Sequence, residues 1–383
     1  SMRSRPRQIS QCCQRAGLAC FLAVFTVSCG PSSSKTQVPV SINNLEPRRD
    51  VKGEIIDAHD GCLQFFDGRF YLYGTAYGKT DGYTNNDFRV YSSPDIQHWT
   101  FAGTLLPNRP EAIYFRPSVV FNPKTRQYVL WYNWYSNAVQ WVGHQGVAVS
   151  KTPVGPFAIV NPDVPLAHAG PGDGSLFVDD DGTGYLIYTS ISEGYTVRVE
   201  RLTPDYLKSA GESSAALAAG AEAPILFRRN KLYYALCGPR CTFCPQGSDV
   251  LVFMASSPLG PFVEAPNINR HPKADALTVH AAPQTMNVSG PAGTFVVQAT
   301  NRSESHVNAP FIPAQETWVA KIHASAGQDI FIWLADRWQS TPDGLKGHDF
   351  QFWSSPLRFD PRNEAILPIE YVSGWDITWV WNN

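Results

Sequence analysis

The chain has 383 residues, of which 43% are hydrophobic and 17% charged, and its formal net charge is −2. This composition suits a packed core and excludes a disordered chain. The near-neutral balance excludes the basic footprint of a nucleic-acid binder and gives no reason to expect a polyanionic ligand.

Residues 1–45 read as a leader and linker. Arg3, Arg5, Arg7 and Arg15 precede the apolar run Ala16 to Phe25, and the small residues Ser28-Cys29-Gly30 and a Ser-rich stretch follow. That order is the n-region, h-region and cleavage site of a secretory signal. The apolar run is too short to span a bilayer, and no other segment is apolar enough to do so. Val27-Ser28-Cys29 resembles a bacterial lipoprotein box, which makes Cys29 a candidate lipid anchor. The chain is therefore expected to be secreted, periplasmic or held at a surface.

From residue 46 onward one aromatic strand keeps returning. It reads Phe70-Tyr71-Leu72-Tyr73, then Tyr128 to Tyr132, Tyr185 to Tyr188, Leu232 to Leu236 and Phe331 to Leu334. Turn-like residues precede most copies: Asp67-Gly68, Asn122 to Thr125, Asp179 to Gly182, and Arg229-Asn230. A period of roughly 50–60 residues with several strands per repeat and almost no helical pattern predicts an all-β fold, a five-bladed β-propeller over residues 46–383. The blades are expected near 50–110, 111–162, 165–215, 218–268 and 305–383. Residues 269–304 read as a loop with one extra hairpin, and Ser209 to Ala219 as a short helical turn. Val90 to Pro94, Val149 to Pro153 and Met254 to Pro258 repeat a closing motif. Two copies run on into Gly-Pro-Phe, where proline is expected to end an outer strand.

A propeller gathers one strand end per blade around its axis, so acids far apart in sequence can share a pocket. Asp60, Asp173 and Glu222 each stand just before the first strand of a repeat, in the same phase. One carboxylic acid and one carboxylate flanking a bond are what glycoside hydrolysis requires. The apolar neighbours of Glu222 favour its protonated form. The alternative is that each acid caps a turn. Asp57 competes with Asp60 for the base position. Asp179 to Gly182 reads as a hairpin turn rather than a calcium loop.

At these residues the chain resembles the glycoside hydrolases of family 43, over roughly residues 50–380. The resemblance implies a five-bladed propeller that inverts the anomeric carbon. It implies Asp60 as general base, Asp173 as the group that orients the acid and modulates its pKa, and Glu222, in Glu-Ala-Pro, as general acid. Gly61 replaces the usual proline after the base. Arg116 to Asn122, the Glu222 segment and Ala335 to Trp338 look most like the exo-β-1,3-galactanase branch. Phe115 stands where that branch often has Glu, and Asp60 where it commonly has Gly, which favours an aspartate base here. The expected substrates are oligo- or polysaccharides carrying arabinofuranose, galactofuranose, xylose or β-1,3-linked galactose.

Further pocket candidates are His59, beside the base; Arg116 and Arg337, as partners of hydroxyls or carboxylates; Trp134 and Trp338, as sugar platforms with core packing the alternative; and His280, on the axis. No cofactor is expected. A structural calcium is the one metal the resemblance admits, and no ligand is assigned to it. Cys237, Cys241 and Cys244 have zinc-like spacing without a completing ligand, and in an exported chain they and Cys62 favour a disulfide. A monomer is expected. A non-catalytic carbohydrate-binding propeller is the main alternative. WD and kelch propellers lack support, because their repeat signatures are missing.

Overall fold

The computed structural model describes residues 36–239, 249–269, 278–281, 286–290, 293–297, 312–323 and 329–381. Strand β1 (Thr36–Asn43) precedes the first blade. Blade one holds β2 (His59–Phe66), β3 (Arg69–Ala76), β4 (Asp87–Ser93) and β5 (Thr100–Thr104), and blade two β6 (Ile113–Asn122), β7 (Gln127–Tyr135), β8 (Gly143–Ser150) and β9 (Ala158–Asn161). Blade three holds β10 (Pro171–Val178), β11 (Gly184–Ser190), β12 (Thr196–Leu202) and β13 (Ser209–Ser213), and blade four β14 (Ala221–Arg229), β15 (Leu232–Pro239), β16 (Leu251–Ala255) and β17 (Val263–Ala265). A three-stranded sheet follows, β18 (Thr278–Ala281), β19 (Met286–Gly290) and β20 (Gly293–Val297). Blade five comprises β21 (Gln315–His323), β22 (Asp329–Arg337) and β23 (Phe350–Trp353), and the last strand, β24 (Gly374–Trp381), pairs antiparallel with β1.

Each blade is a meander whose strands pair in chain order. The first strands touch one another in a closed ring, β2–β6–β10–β14–β21–β2, which makes the fold a five-bladed β-propeller. The recurring aromatic strand is the second strand of every blade. It is buried on both faces (all seven residues of β11, for example) because neighbouring blades cover both sides. The turn into β3 has Asp67 at φ 46° and Gly68 at φ 81°, the double positive φ of a type I′ hairpin.

Much of the core lies between blades. Val129, Trp131 and Val147 of blade two meet Leu176, Leu186 and Tyr188 of blade three. Ile187, Val197 and Val199 meet Leu226, Ala235 and Phe253 of blade four. Trp99 and Trp353 pack edge to face, centroids 6.1 Å apart, where blade one meets blade five. Burying each such side chain stabilises the fold by roughly 1.5–3 kcal/mol, so apolar packing between blades holds the ring closed.

Four sequence expectations are corrected. Ser209–Ser213 is the outer strand β13, not a helical turn; it pairs with β12 through Glu200 and Leu202. Gly155-Pro156-Phe157 and Gly260-Pro261-Phe262 stand just before the outer strands β9 and β17 and so lead into them, while the Ser-Pro and Thr-Pro motifs follow the third strands. Residues 278–297 hold three strands rather than one hairpin. Residues 1–35, with Cys29, lie outside the described residues, as do Cys241 and Cys244; residues 36–45, expected as linker, instead carry β1, whose Val40 and Ile42 are buried in the core. Cys62 and Cys237 are buried and free. Among the described residues no helix is long and apolar enough to cross a membrane.

Candidate active site

Every first strand slips register once against its neighbour. The slips fall between His59 and Cys62, Phe115 and Ser118, Pro171 and Gly174, Glu222 and Ile225, and Glu316 and Trp318. Such bulges bend the strand and re-aim its side chains. Asp60, Arg116 and Asp173 lie inside three of them, and Glu222 and Glu316 open the other two. Asp60, Arg116 and Ala223 take left-handed backbone, at φ 48°, 54° and 56°.

Asp60, Arg116, Asp173 and Glu222 all line one cavity of about 890 Å³. Aromatic rings form much of its wall. Tyr135 and Trp141 stack with centroids 4.0 Å apart and planes 10° apart, and Tyr83 meets Trp141 edge-on at 5.7 Å. Trp338 and Tyr77 stand on the blade-five side, edge to face at 5.4 Å. Between them the Lys346 ammonium sits 3.7 Å from the Trp338 ring centre and 4.7 Å from that of Tyr77, a cation–π cage. Gln315 also lines the cavity and accepts the Trp338 indole N–H at 2.9 Å.

Arg116 organises the acids. Its Nε lies 3.2 Å from Asp173 Oδ1, and its backbone N–H donates to Asp60 Oδ1 at 3.3 Å. Burial opposes the charge on Arg116, but Asp173 and then Asp60 raise its pKa overall. Asp173 Oδ2 accepts the Ala223 N–H at 3.0 Å, so it connects the arginine to the bulge that carries Glu222. Asp60 is 6% exposed. Its Oδ1 accepts the Thr75 hydroxyl at 2.5 Å, and its Oδ2 accepts the Tyr77 hydroxyl. Burial pushes the Asp60 pKa up, Arg116 and these hydrogen bonds oppose that, and Asp173 adds to it. Burial pushes the pKa of Glu316, fully enclosed beside Arg116, well above the ordinary carboxylate range, and Arg116 opposes that rise.

Among the other sequence candidates, Trp338 lines the cavity. His59 lies behind it: its Nδ1 is 3.3 Å from Asp57 Oδ1 and its Nε2 3.0 Å from the Asp349 carbonyl, so no sugar contact is open to it. Trp134 faces away, stacked on His144 at 4.3 Å with its indole donating to the Pro162 carbonyl. Arg337 is 1% exposed and donates to the Tyr371 hydroxyl. The side chain of His280 is outside the described residues. Asp57 does not line the cavity, because its carboxylate accepts the Tyr77 and Gly78 N–H groups at 2.9 and 2.8 Å. The Asp179 carboxylate accepts Arg228 Nη1 at 2.6 Å and the Tyr233 hydroxyl at 2.5 Å, tying blades three and four. Tyr77, Tyr83, Tyr135, Trp141, Gln315, Glu316 and Lys346 were not among the sequence candidates. Among the described residues no group of three or more His, Cys, Asp or Glu is set to hold a metal ion.

The family model "Glycosyl hydrolases family 43" matches residues 55–309. The chain is 25% identical over 256 residues to an arabinoxylan arabinofuranohydrolase of Paenibacillus polymyxa, covering 54% of this chain and 39% of that protein. It is 25% identical over 325 residues to an arabinoxylan arabinofuranohydrolase of Bacillus subtilis (strain 168), covering 68% of this chain and 60% of that protein. The chain thus spans less than two thirds of both relatives. In three dimensions it superposes on an exo-β-1,3-galactanase from Clostridium thermocellum with a TM-score of 0.68 at 23% identity, covering 87% of this chain and 66% of that one, a likeness of fold.

Proposed function

The chain belongs to glycosyl hydrolases family 43, and we propose that it is an exo-acting, inverting glycoside hydrolase. It removes a terminal or side-chain sugar from a plant or microbial polysaccharide, of the arabinofuranose, galactofuranose, xylose or β-1,3-galactose type. One observation carries this: Asp60, Asp173 and Glu222, from blades one, three and four, line a single cavity. Glu222 donates its proton to the glycosidic oxygen as the bond to the anomeric carbon breaks. Asp60 takes a proton from the water that attacks the opposite face. Asp173, held by Arg116 and the Ala223 N–H, orients the segment carrying the acid. The loop residues Asp81, Gly82, Tyr83, Ala138, Trp141, Gln339 and Lys346 wall the cavity, which supports attack at a chain end. Arabinofuranose is suggested by the relatives named arabinoxylan arabinofuranohydrolases, and β-1,3-galactose, xylose and galactofuranose by the resemblance to the wider family.

The test is hydrolysis of p-nitrophenyl α-L-arabinofuranoside, β-D-galactofuranoside, β-D-xyloside and β-D-galactoside, and of β-1,3-galactan. Glu222→Gln should lower kcat by about 10²–10⁴-fold on natural linkages, and by less on aryl glycosides, whose leaving group needs little protonation. Proton NMR should show the inverted anomer first; a retained anomer refutes the mechanism. One feature favours a second reading, a carbohydrate-binding propeller without turnover: both Asp60 oxygens already accept hydrogen bonds inside the protein. Sugar binding with no hydrolysis of any of these substrates would establish it.

A further inference from the structure

Asp60 faces two ways. Its side chain borders the cavity, while its backbone N–H donates to Asp336 Oδ2 at 2.6 Å on the far side. Asp60 has φ 48°, a left-handed conformation that costs a non-glycine residue about 1–2 kcal/mol and persists only where neighbours enforce it. Asp336 is 2% exposed and stands near the end of β22, held between Gln315 and Gln351 on the adjacent strands. We propose that Asp336 is the positioning residue for the base: a carboxylate of blade five grips the bulge of blade one and aims Asp60 at the attacking water. This rests on Asp60 being the base of the proposed hydrolysis.

The surroundings give Asp336 a working charge. Both ring nitrogens of His59 face acceptors, Asp57 Oδ1 and the Asp349 carbonyl, and only the doubly protonated imidazolium satisfies both. Burial opposes that charge, but Asp336 and then Asp57 overcome it and raise His59 to about 9. Burial raises Asp336 to about 7, with His59 and Arg116 lowering it and Asp60 raising it. Lys346 and Tyr77 also feel its charge. As pH falls through about 7, Asp336 gains a proton. Its grip on the Asp60 N–H then loses charge assistance, and Asp60 becomes a weaker base because a like charge has gone.

The experiment is the pH dependence of kcat and KM for wild type, Asp336→Asn and His59→Gln, on whichever of the aryl glycosides above the wild type hydrolyses. The asparagine amide keeps the volume and an acceptor oxygen but not the charge. Asp336→Asn should lower kcat about 10–100-fold, the scale of a small misplacement of a catalytic group, with KM changed less than about twofold. It should also lose the inflection near pH 7. His59→Gln should move that inflection upward, because His59 lowers the Asp336 pKa. An inflection retained in Asp336→Asn, or an activity loss explained by a smaller folded fraction alone, overturns the proposal. If Asp336→Asn does not fold, an unmoved inflection in His59→Gln overturns it. A wild type inactive on every glycoside removes the hydrolase assignment and this inference with it, whereas an active wild type with unmoved variants removes the inference alone.

Discussion

The Arg116 guanidinium of blade two and the Asp173 carboxylate of blade three are joined by a 3.2 Å ion pair, and the side chains are 7% and 20% exposed. Removing one partner of a buried pair leaves the other charge uncompensated, typically a loss of about 3–5 kcal/mol. Arg116→Met should therefore lower the denaturation midpoint markedly as well as the rate. Arg116→Lys should restore little of either, because an ammonium cannot reproduce the planar guanidinium contact. Chemical denaturation and kcat measured on the same preparations check both statements; full rescue by lysine would contradict them.

Asp60→Asn tests the base. The amide is isosteric: its oxygen still accepts from Thr75 and the Arg116 N–H, and the Tyr77 hydroxyl can turn to accept the Nδ2–H, so the melting temperature should change by only a few degrees. The rate should fall about 10²–10⁴-fold. Added azide should restore part of it, by attacking the anomeric carbon without needing a base. No rate loss would assign the base elsewhere in the cavity.

Trp141 stacks on Tyr135 and borders the cavity, which leaves ring surface for a sugar. Trp141→Ala should raise KM about tenfold, equivalent to about 1.4 kcal/mol, with a smaller effect on kcat. Trp134→Ala should leave KM unchanged, because that ring packs on His144 away from the cavity. Equal effects of the two substitutions on KM would refute the assignment of the platform.

Gly61 has no room for a side chain: an added Cβ would lie 1.9 Å from the Tyr73 carbonyl oxygen. Gly61→Ala must displace backbone in the bulge that carries Asp60. A loss of at least about 1–3 kcal/mol is expected, the usual scale of overpacking, together with loss of activity in the protein that still folds. Calorimetry and activity per folded molecule check this.

His59 gives stability a pH dependence of definite sign. Its pKa is raised from 6.5 to about 9 in the folded chain, burial opposing and Asp336 and Asp57 driving the rise. A raised histidine contributes its full stabilisation below about pH 6.5 and loses it as pH climbs through about 9. The stability difference between wild type and His59→Gln should shrink over that window. A difference constant from pH 6 to 9.5 would mean that His59 is neutral in the fold.

The repeat and its acids were legible because both obey a period. The aromatic strand recurs as the second strand of every blade, and Asp60, Asp173 and Glu222 recur at the first-strand bulge. Glu316 occupies the same bulge in blade five and carries the same signal, but no apolar Glu-Ala-Pro-like context marked it. Tyr83, Trp141 and Lys346 were illegible because they lie on connecting loops, whose paths follow no period. Sequence left Trp134 open between sugar platform and core packing, although alternation could have placed it. Adjacent strand residues face opposite sides, and Tyr135, its neighbour, is the one that borders the cavity. His59 follows the same rule beside Asp60. Its burial reflects a charge network completed by Asp336 and Asp349, nearly 280 and 290 residues farther along the chain, which no local pattern reveals.

The five register slips have an implication for how such a catalyst can change. Under the proposed hydrolysis, the reacting groups sit on irregularities of the inner wall, whereas residues that shape the entrance belong to excursions between sheets. On that proposal, replacing an excursion should alter which sugar is admitted without disturbing the proton-transfer groups. Divergence, or laboratory grafting, can therefore retune selectivity one connection at a time while the machinery beneath is inherited intact.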